Sequence, residues 1–161
     1  MQRVVKVWVT QQRERLNIEG KVLEIGTYDV NGNLNEELDG CDHVRLDMRD
    51  GPNVDVVANS HDMPFPDDTF DAVVCVDTFE HDNAFWVTME EIHRVIKPGG
   101  AIVICVPTIG FVLHGHPNDY WRFTESAMKE LLNGCTDVDT KLIVKEKPHI
   151  EEVFGSGKWK E

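Results

Sequence analysis

Apolar residues in this chain follow two rhythms. The runs AVVCV at 72–76 and AIVICV at 101–106 carry no polar interruption. Unbroken runs of this kind suit strands buried on both faces of a parallel sheet. Between them, Phe85, Met89, Ile92 and Ile96 recur at helical spacing, which predicts a helix over 84–96 that stops at KPGG. KVLEIG at 21–26, HVRLD at 43–47, VDVVAN at 54–59 and TFDAVVCVD at 69–77 read as strands one to four, and 101–107 as strand five. Residues 3–16 mix a strand-like Val-rich start with the helix-like TQQRERL, and a helix packed on the sheet is the favoured reading. NLNEEL at 33–38 predicts a short helix. Thr124 is a candidate N-cap for a helix ending near Gly134, and TKLIVKE and IEEVFG predict two closing strands.

Strands alternating with helices predict an α/β fold: a Rossmann-like, doubly wound, mostly parallel sheet. Two connections modify it. KPH is too short for a parallel crossover, so the last two strands should form an antiparallel hairpin at one edge. Residues 48–53 reach roughly 24 Å at about 3.5 Å per step, so the helix between strands two and three must be reduced. The 161 residues predict a single domain over 1–161.

The net charge of −13 argues against phosphate-mediated nucleic-acid binding and against an anionic membrane surface. No run approaches a membrane span, and the N-terminus lacks the pattern of a secretory leader. The four cysteines form no C-x-x-C pair, and Cys75 and Cys105 lie inside apolar runs as small core residues. A reducing, cytoplasmic setting fits.

Ligands of open α/β sheets bind beyond the carboxyl ends of the strands. Asp47 lies 21 residues after Gly26 (47 − 26), the spacing at which an acid after strand two accepts ribose hydroxyls. The loop GTYDVNG, however, puts Tyr28 where a dinucleotide loop has its second glycine. Asp29 follows and Glu24 stands just behind, and acids there repel a pyrophosphate. A cofactor with ribose and adenine but no phosphate escapes that penalty. S-adenosylmethionine is one, and its sulfonium and ammonium groups are cationic.

Five segments in order, VLEIG, VRLDM, HDMPFPDDTFDAVVCVDTFEH, EEIHRVIKPGGAIVICVP and PNDYWRFTESAMKELL, make the chain resemble the class I S-adenosylmethionine-dependent methyltransferases. The loop departs from their G-x-G pattern and looks like a longer variant whose later glycine is Gly32. The resemblance implies S-adenosylmethionine as cofactor and S-adenosylhomocysteine as product. Gly26, Thr27 and Tyr28 would line the methionine part, with Glu24 on the same side. Met48 would pack on adenine, Asp62 and the Met63 N–H would meet its amino edge, and Asp77 would face the methionine end.

On the acceptor side, Glu80, His81 and Asp82 form one cluster and His114, His116, Asp119 and Tyr120 another. From these, His81, His116 and Asp119 are the candidates for a general base, which a hydroxyl acceptor needs and a neutral amine does not. His114-x-His116 with a nearby acid has a zinc-like pattern, yet spacing alone completes no site, so no metal is expected. PNDYWRFT looks like a segment of bacterial methyltransferases of sugar and secondary metabolism. The expected activity is methyl transfer to a small-molecule or glycan-type acceptor, in an open site that a homo-oligomer would complete. A non-catalytic cofactor-binding module and a nicotinamide oxidoreductase are the other readings.

Overall fold

The computed structural model describes residues 3–29, 32–114, 118–144 and 151–160. Its elements are α1 (Arg3–Leu16), β1 (Lys21–Ile25), β2 (Asp42–Asp47), β3 (Val56–Val57), β4 (Phe70–Val76), α2 (Phe85–Val95), β5 (Ile96–Pro107), α3 (Glu125–Leu131), β6 (Cys135–Val144) and β7 (Glu151–Trp159). The seven strands form one sheet in the order β3-β2-β1-β4-β5-β7-β6. The first five pair in parallel. β7 runs antiparallel to both β5 and β6, so the expected hairpin is present, with the final strand inside it and β6 at the edge.

The central strands bury alternate side chains on opposite faces. Leu23, Val73, Cys75, Ile102 and Ile104 join Met89 and Ile92 of α2 and Met128 of α3 in one core. Val22, Ala72, Val74, Val103 and Cys105 join Val5, Trp8 and Val9 of α1 in the other. This two-sided burial explains the unbroken apolar runs. It also settles the ambiguous N-terminal segment: Val5, Trp8, Val9, Gln12 and Leu16 are buried at helical spacing. The buried Gln12 accepts from Ser156 Oγ at 2.8 Å, tying α1 to β7. Among the described residues the four cysteines form no disulfide, and Cys75 and Cys105 are buried as expected.

β5 and β6 begin earlier than expected, at Ile96 and Cys135, and two other predicted elements shrink or are lost. β3 shrinks to Val56–Val57, and the stretch before it contains no helix. The return is drawn tight by the Arg45 guanidinium, which donates from Nε and Nη2 to the two Asp55 oxygens at 2.7 Å each. Residues 33–38 form turns rather than a helix, although Leu34 and Leu38 are buried and one Leu38 N–H to Leu34 carbonyl bond forms. Side chains compete with the backbone here. Asp29 accepts the Gly32 N–H and the Asn33 amide, and Asn33 Oδ1 accepts the Asn35 N–H.

α3 is capped as expected, with Thr124 Oγ1 accepting the Ala127 N–H at 3.1 Å. Among the described residues no helix is long and apolar enough to cross a membrane.

Candidate active site at the carboxyl ends of the strands

Three strand ends are bolted together around Gly26. Its N–H donates to the Leu46 carbonyl at 2.9 Å, linking β1 to β2. Its φ of +81° is a left-handed conformation, and a Cβ there would lie 2.0 Å from Thr78 Oγ1. Only glycine satisfies both demands. The Thr78 hydroxyl in turn shares its one proton between the carbonyls of Val76 at 2.9 Å and Ile25 at 3.2 Å, closing β1 onto β4.

Asp47 sits at this junction, 7% exposed. One carboxylate oxygen accepts the Tyr28 N–H at 3.0 Å and the other the Arg49 N–H at 2.9 Å. A carboxylate offers about four lone-pair sites, so it has capacity beyond these two N–H groups, although Arg49 Nε also stands 3.5 Å from the oxygen that accepts the Arg49 N–H. The Tyr28 ring rests on Gly51, where a Cβ would come within 2.3 Å, and the Arg49 guanidinium lies 4.3 Å from the ring centroid. Beside them Met48 is 69% exposed, an apolar side chain at a strand end. The Thr27 hydroxyl is buried and has no hydrogen-bond partner among the described residues.

The two acids that flank this loop differ in environment. Asp29 closes the loop on itself, and the Asn33 amide, helped by the Gly32 N–H, holds its carboxyl below the usual range. Glu24 is buried and lies 2.8 Å from His43 Nε2. That contact ties one oxygen of the Glu24 carboxylate to β2.

After β4 the chain turns through Asp77 at φ +47° into a 3₁₀ turn, Phe79–His81. Asp77 accepts from the Cys105 thiol at 3.9 Å. The turn delivers Glu80 to full burial, and neither of its carboxylate oxygens has a hydrogen-bond partner among the described residues. His81 Nε2 and His114 Nε2 face the same oxygen at 3.7 and 3.6 Å. The Glu80 carboxylate pushes the His114 imidazolium above its ordinary range.

The loop after β5 is ordered by Asp119. Its carboxylate takes both Nη groups of Arg122 and accepts the His114 N–H at 2.9 Å. Arg122 holds the Asp119 carboxyl down to about 2. A carboxylate so stabilised is a poor proton acceptor near neutrality. Asp119, expected as a candidate base, ties His114 to Arg122 and so organises the loop. His116 lies outside the described residues. An aromatic wall of Phe79, Phe85, Trp86, Trp121 and Phe123 backs the region.

On the β3 side, Asp62 is exposed, but the Met63 N–H donates to Glu91 Oε2 at 2.8 Å and its side chain is in the core. The Met63 N–H, expected at the adenine edge, is given to Glu91 in this structure. Arg94 forks onto Glu91 and also donates to the Met63 and Phe65 carbonyls. At the opposite end of the sheet a concavity of about 440 Å³ holds Asp71 and Lys97, which satisfy each other at 2.7 Å.

Residues 34–104 match the family described as Methyltransferase domain. The demethylmenaquinone methyltransferase of Lysinibacillus sphaericus (strain C3-41) is 38% identical over 58 residues, 35% of this chain and 24% of that protein. The demethylmenaquinone methyltransferase of Geobacillus stearothermophilus is 28% identical over 117 residues, 72% of this chain and 47% of that protein. The chain thus spans about a quarter to a half of the length of these curated relatives. Among solved structures, Burkholderia thailandensis 1,6-didemethyltoxoflavin-N1-methyltransferase, with bound 1,6-didemethyltoxoflavin and S-adenosylhomocysteine, has a TM-score of 0.77 at 18% identity. The match covers 99% of this chain and 78% of that one. The fold is that of the class I S-adenosylmethionine-dependent methyltransferases.

The family match leaves out both the Gly26 loop and the loop after β5. In this methyltransferase fold those two loops flank the site, so their roles rest on geometry. Arg49, Gly51 and Arg122 were not singled out from the sequence. Gly51 and Arg49 carry no motif of their own and matter only because Tyr28 lies against them. Asp119-x-x-Arg122 was legible as an i, i+3 pair of opposite charge.

Proposed function

We propose that residues 1–161 act as one methyltransferase domain, using S-adenosylmethionine and a small-molecule or glycan-type acceptor. The observation that carries this reading is the meeting of Asp47 and the Gly26–Tyr28 backbone at the carboxyl ends of β1 and β2. The remaining acceptor capacity of a buried carboxylate suits a ribose diol. The exposed Met48 beside it suits an adenine face. The orphan Thr27 hydroxyl offers a donor and an acceptor to the same ligand. Asp77 and the general acidity of the chain favour a cationic methionine end over a diphosphate.

Bound there, the sulfonium supplies an electrophilic methyl group. The chain's part is alignment and exclusion of water, because charge disperses as the methyl moves. Gly26 allows the close approach, Asp47 fixes the sugar, and the 3₁₀ turn with His81 borders the acceptor side. An amine would attack without a base. The names of the curated relatives, demethylmenaquinone methyltransferases, support a small-molecule acceptor.

The test is turnover of methyl-labelled cofactor against a panel of small phenols, quinols, amines and sugars. The reading expects labelled product from at least one class, and loss of that product in Asp47→Ala. Cofactor binding with no transfer to any class would instead favour a non-catalytic module.

A further inference from the structure

We propose that Glu80, His81 and His114 form a binding site for one divalent transition-metal ion of the zinc class. The oxygen and nitrogen donor atoms of these residues all lie within 4.8 Å of one another. This goes beyond methyl transfer and does not depend on the cofactor reading.

Four features distinguish the cluster from a chance grouping. Glu80 is completely buried, and both of its oxygens lack hydrogen bonds among the described residues. A buried carboxylate left this way is costly unless a cation completes it. The two imidazoles do not complete it themselves. At 3.6 and 3.7 Å their Nε2 atoms stand well outside the roughly 2.7–2.9 Å of a charge-assisted hydrogen bond. The spacing does suit donors around an ion: ligands at about 2.0–2.1 Å in tetrahedral array lie roughly 3.3 Å apart.

The third feature is the outer ring of contacts. His81 Nδ1 is hydrogen-bonded to the Asn118 carbonyl and His114 Nδ1 lies 3.3 Å from the Val112 carbonyl. A carbonyl only accepts, so each Nδ1 carries a proton, and in the neutral imidazole Nε2 keeps the lone pair that a metal would take, on the side that faces Glu80. This is how metal-ligating histidines are oriented. Fourth, the loop is clamped onto the cluster. The Tyr120 N–H donates to the Glu80 carbonyl at 2.6 Å, and Asp119, locked by Arg122, accepts the His114 N–H. The ligands come from two segments, which is why spacing within HGH revealed no site. One carboxylate and two imidazoles suit zinc, cobalt, nickel or iron better than magnesium or calcium. Because the site lies in the turn that follows β4, a bound ion would present its open coordination position on the acceptor side.

The experiment is titration of the full chain, without cofactor, with cobalt(II) followed by visible absorption and with zinc(II) by calorimetry. The expected result is one ion per chain with a d–d spectrum of low-symmetry coordination and no thiolate charge-transfer band. Glu80→Gln, His81→Gln and His114→Gln should each weaken binding at least about tenfold. Circular dichroism checks that each variant folds. If Glu80→Gln does not fold, His114→Gln decides, since that residue lies on a partly exposed loop. Absence of binding at millimolar metal overturns the proposal. So does undiminished binding in the folded variants, or a thiolate band, because the ion would then sit elsewhere. S-adenosylhomocysteine binding, measured separately, is unaffected by either result.

Discussion

The Asp47 carboxylate accepts the backbone N–H of Tyr28 at 3.0 Å. The bond joins the acid that ends β2 to the loop that follows β1, and it fixes the orientation of the carboxylate. Asp47→Ala should therefore weaken S-adenosylhomocysteine binding by about 1.5–3 kcal/mol, the range for hydrogen bonds to a charged group. Calorimetry on both proteins checks this. Wild-type affinity in the variant would remove Asp47 from the site.

Gly26 gives a steric prediction. Gly26→Ala adds a Cβ 2.0 Å from Thr78 Oγ1 at a φ of +81°. Stability should fall by at least about 1–3 kcal/mol from the backbone conformation alone, with the clash in addition. Adding Thr78→Ala removes the hydroxyl and methyl that collide, so the double variant should recover part of the loss. Urea unfolding measures both. No recovery would mean that the loop relaxes in some other way.

The clearest sequence signals were those of the buried strands, because a residue packed on both faces leaves no polar positions. Asp47 was legible for a related reason: the strand that precedes it sets its distance from Gly26. What the sequence concealed were contacts made by the side chains of loops. Glu24 and His43 meet only because β1 and β2 are neighbours, and Met63 loses its N–H to Glu91 only because α2 packs over that turn. NLNEEL has helical spacing, yet asparagine and aspartate side chains capture the backbone groups that a helix would need.

Asp119 and Arg122 predict a pH dependence. The folded carboxyl is lowered from 3.8 to about 2, so the pair's contribution is complete above pH 3.8 and is lost as pH falls through about 2. The shift corresponds to roughly 2 kcal/mol. Unfolding of the wild type and of Asp119→Asn should differ by about this much at pH 6, and the gap should close in strong acid. A gap that stays constant across the acid range would assign the effect to packing.

Arg94 holds the turn around Met63 through Glu91, Phe65 and Asp67. Arg94→Lys keeps the charge but loses the planar fork. Hydrogen exchange of the Met63, Phe65 and Asp68 amides should accelerate in Arg94→Lys while those of β4 stay protected. Uniform acceleration through the sheet would show a global rather than a local effect.

Calorimetry of the wild-type chain with S-adenosylhomocysteine and, separately, with NAD tests the central claim most directly. A pocket made by Asp47, Met48 and the acid-flanked Gly26 loop should bind the adenosyl ligand, and bind it more tightly than the dinucleotide. Tighter binding of NAD, or no heat from the adenosyl ligand at millimolar concentration, would contradict it.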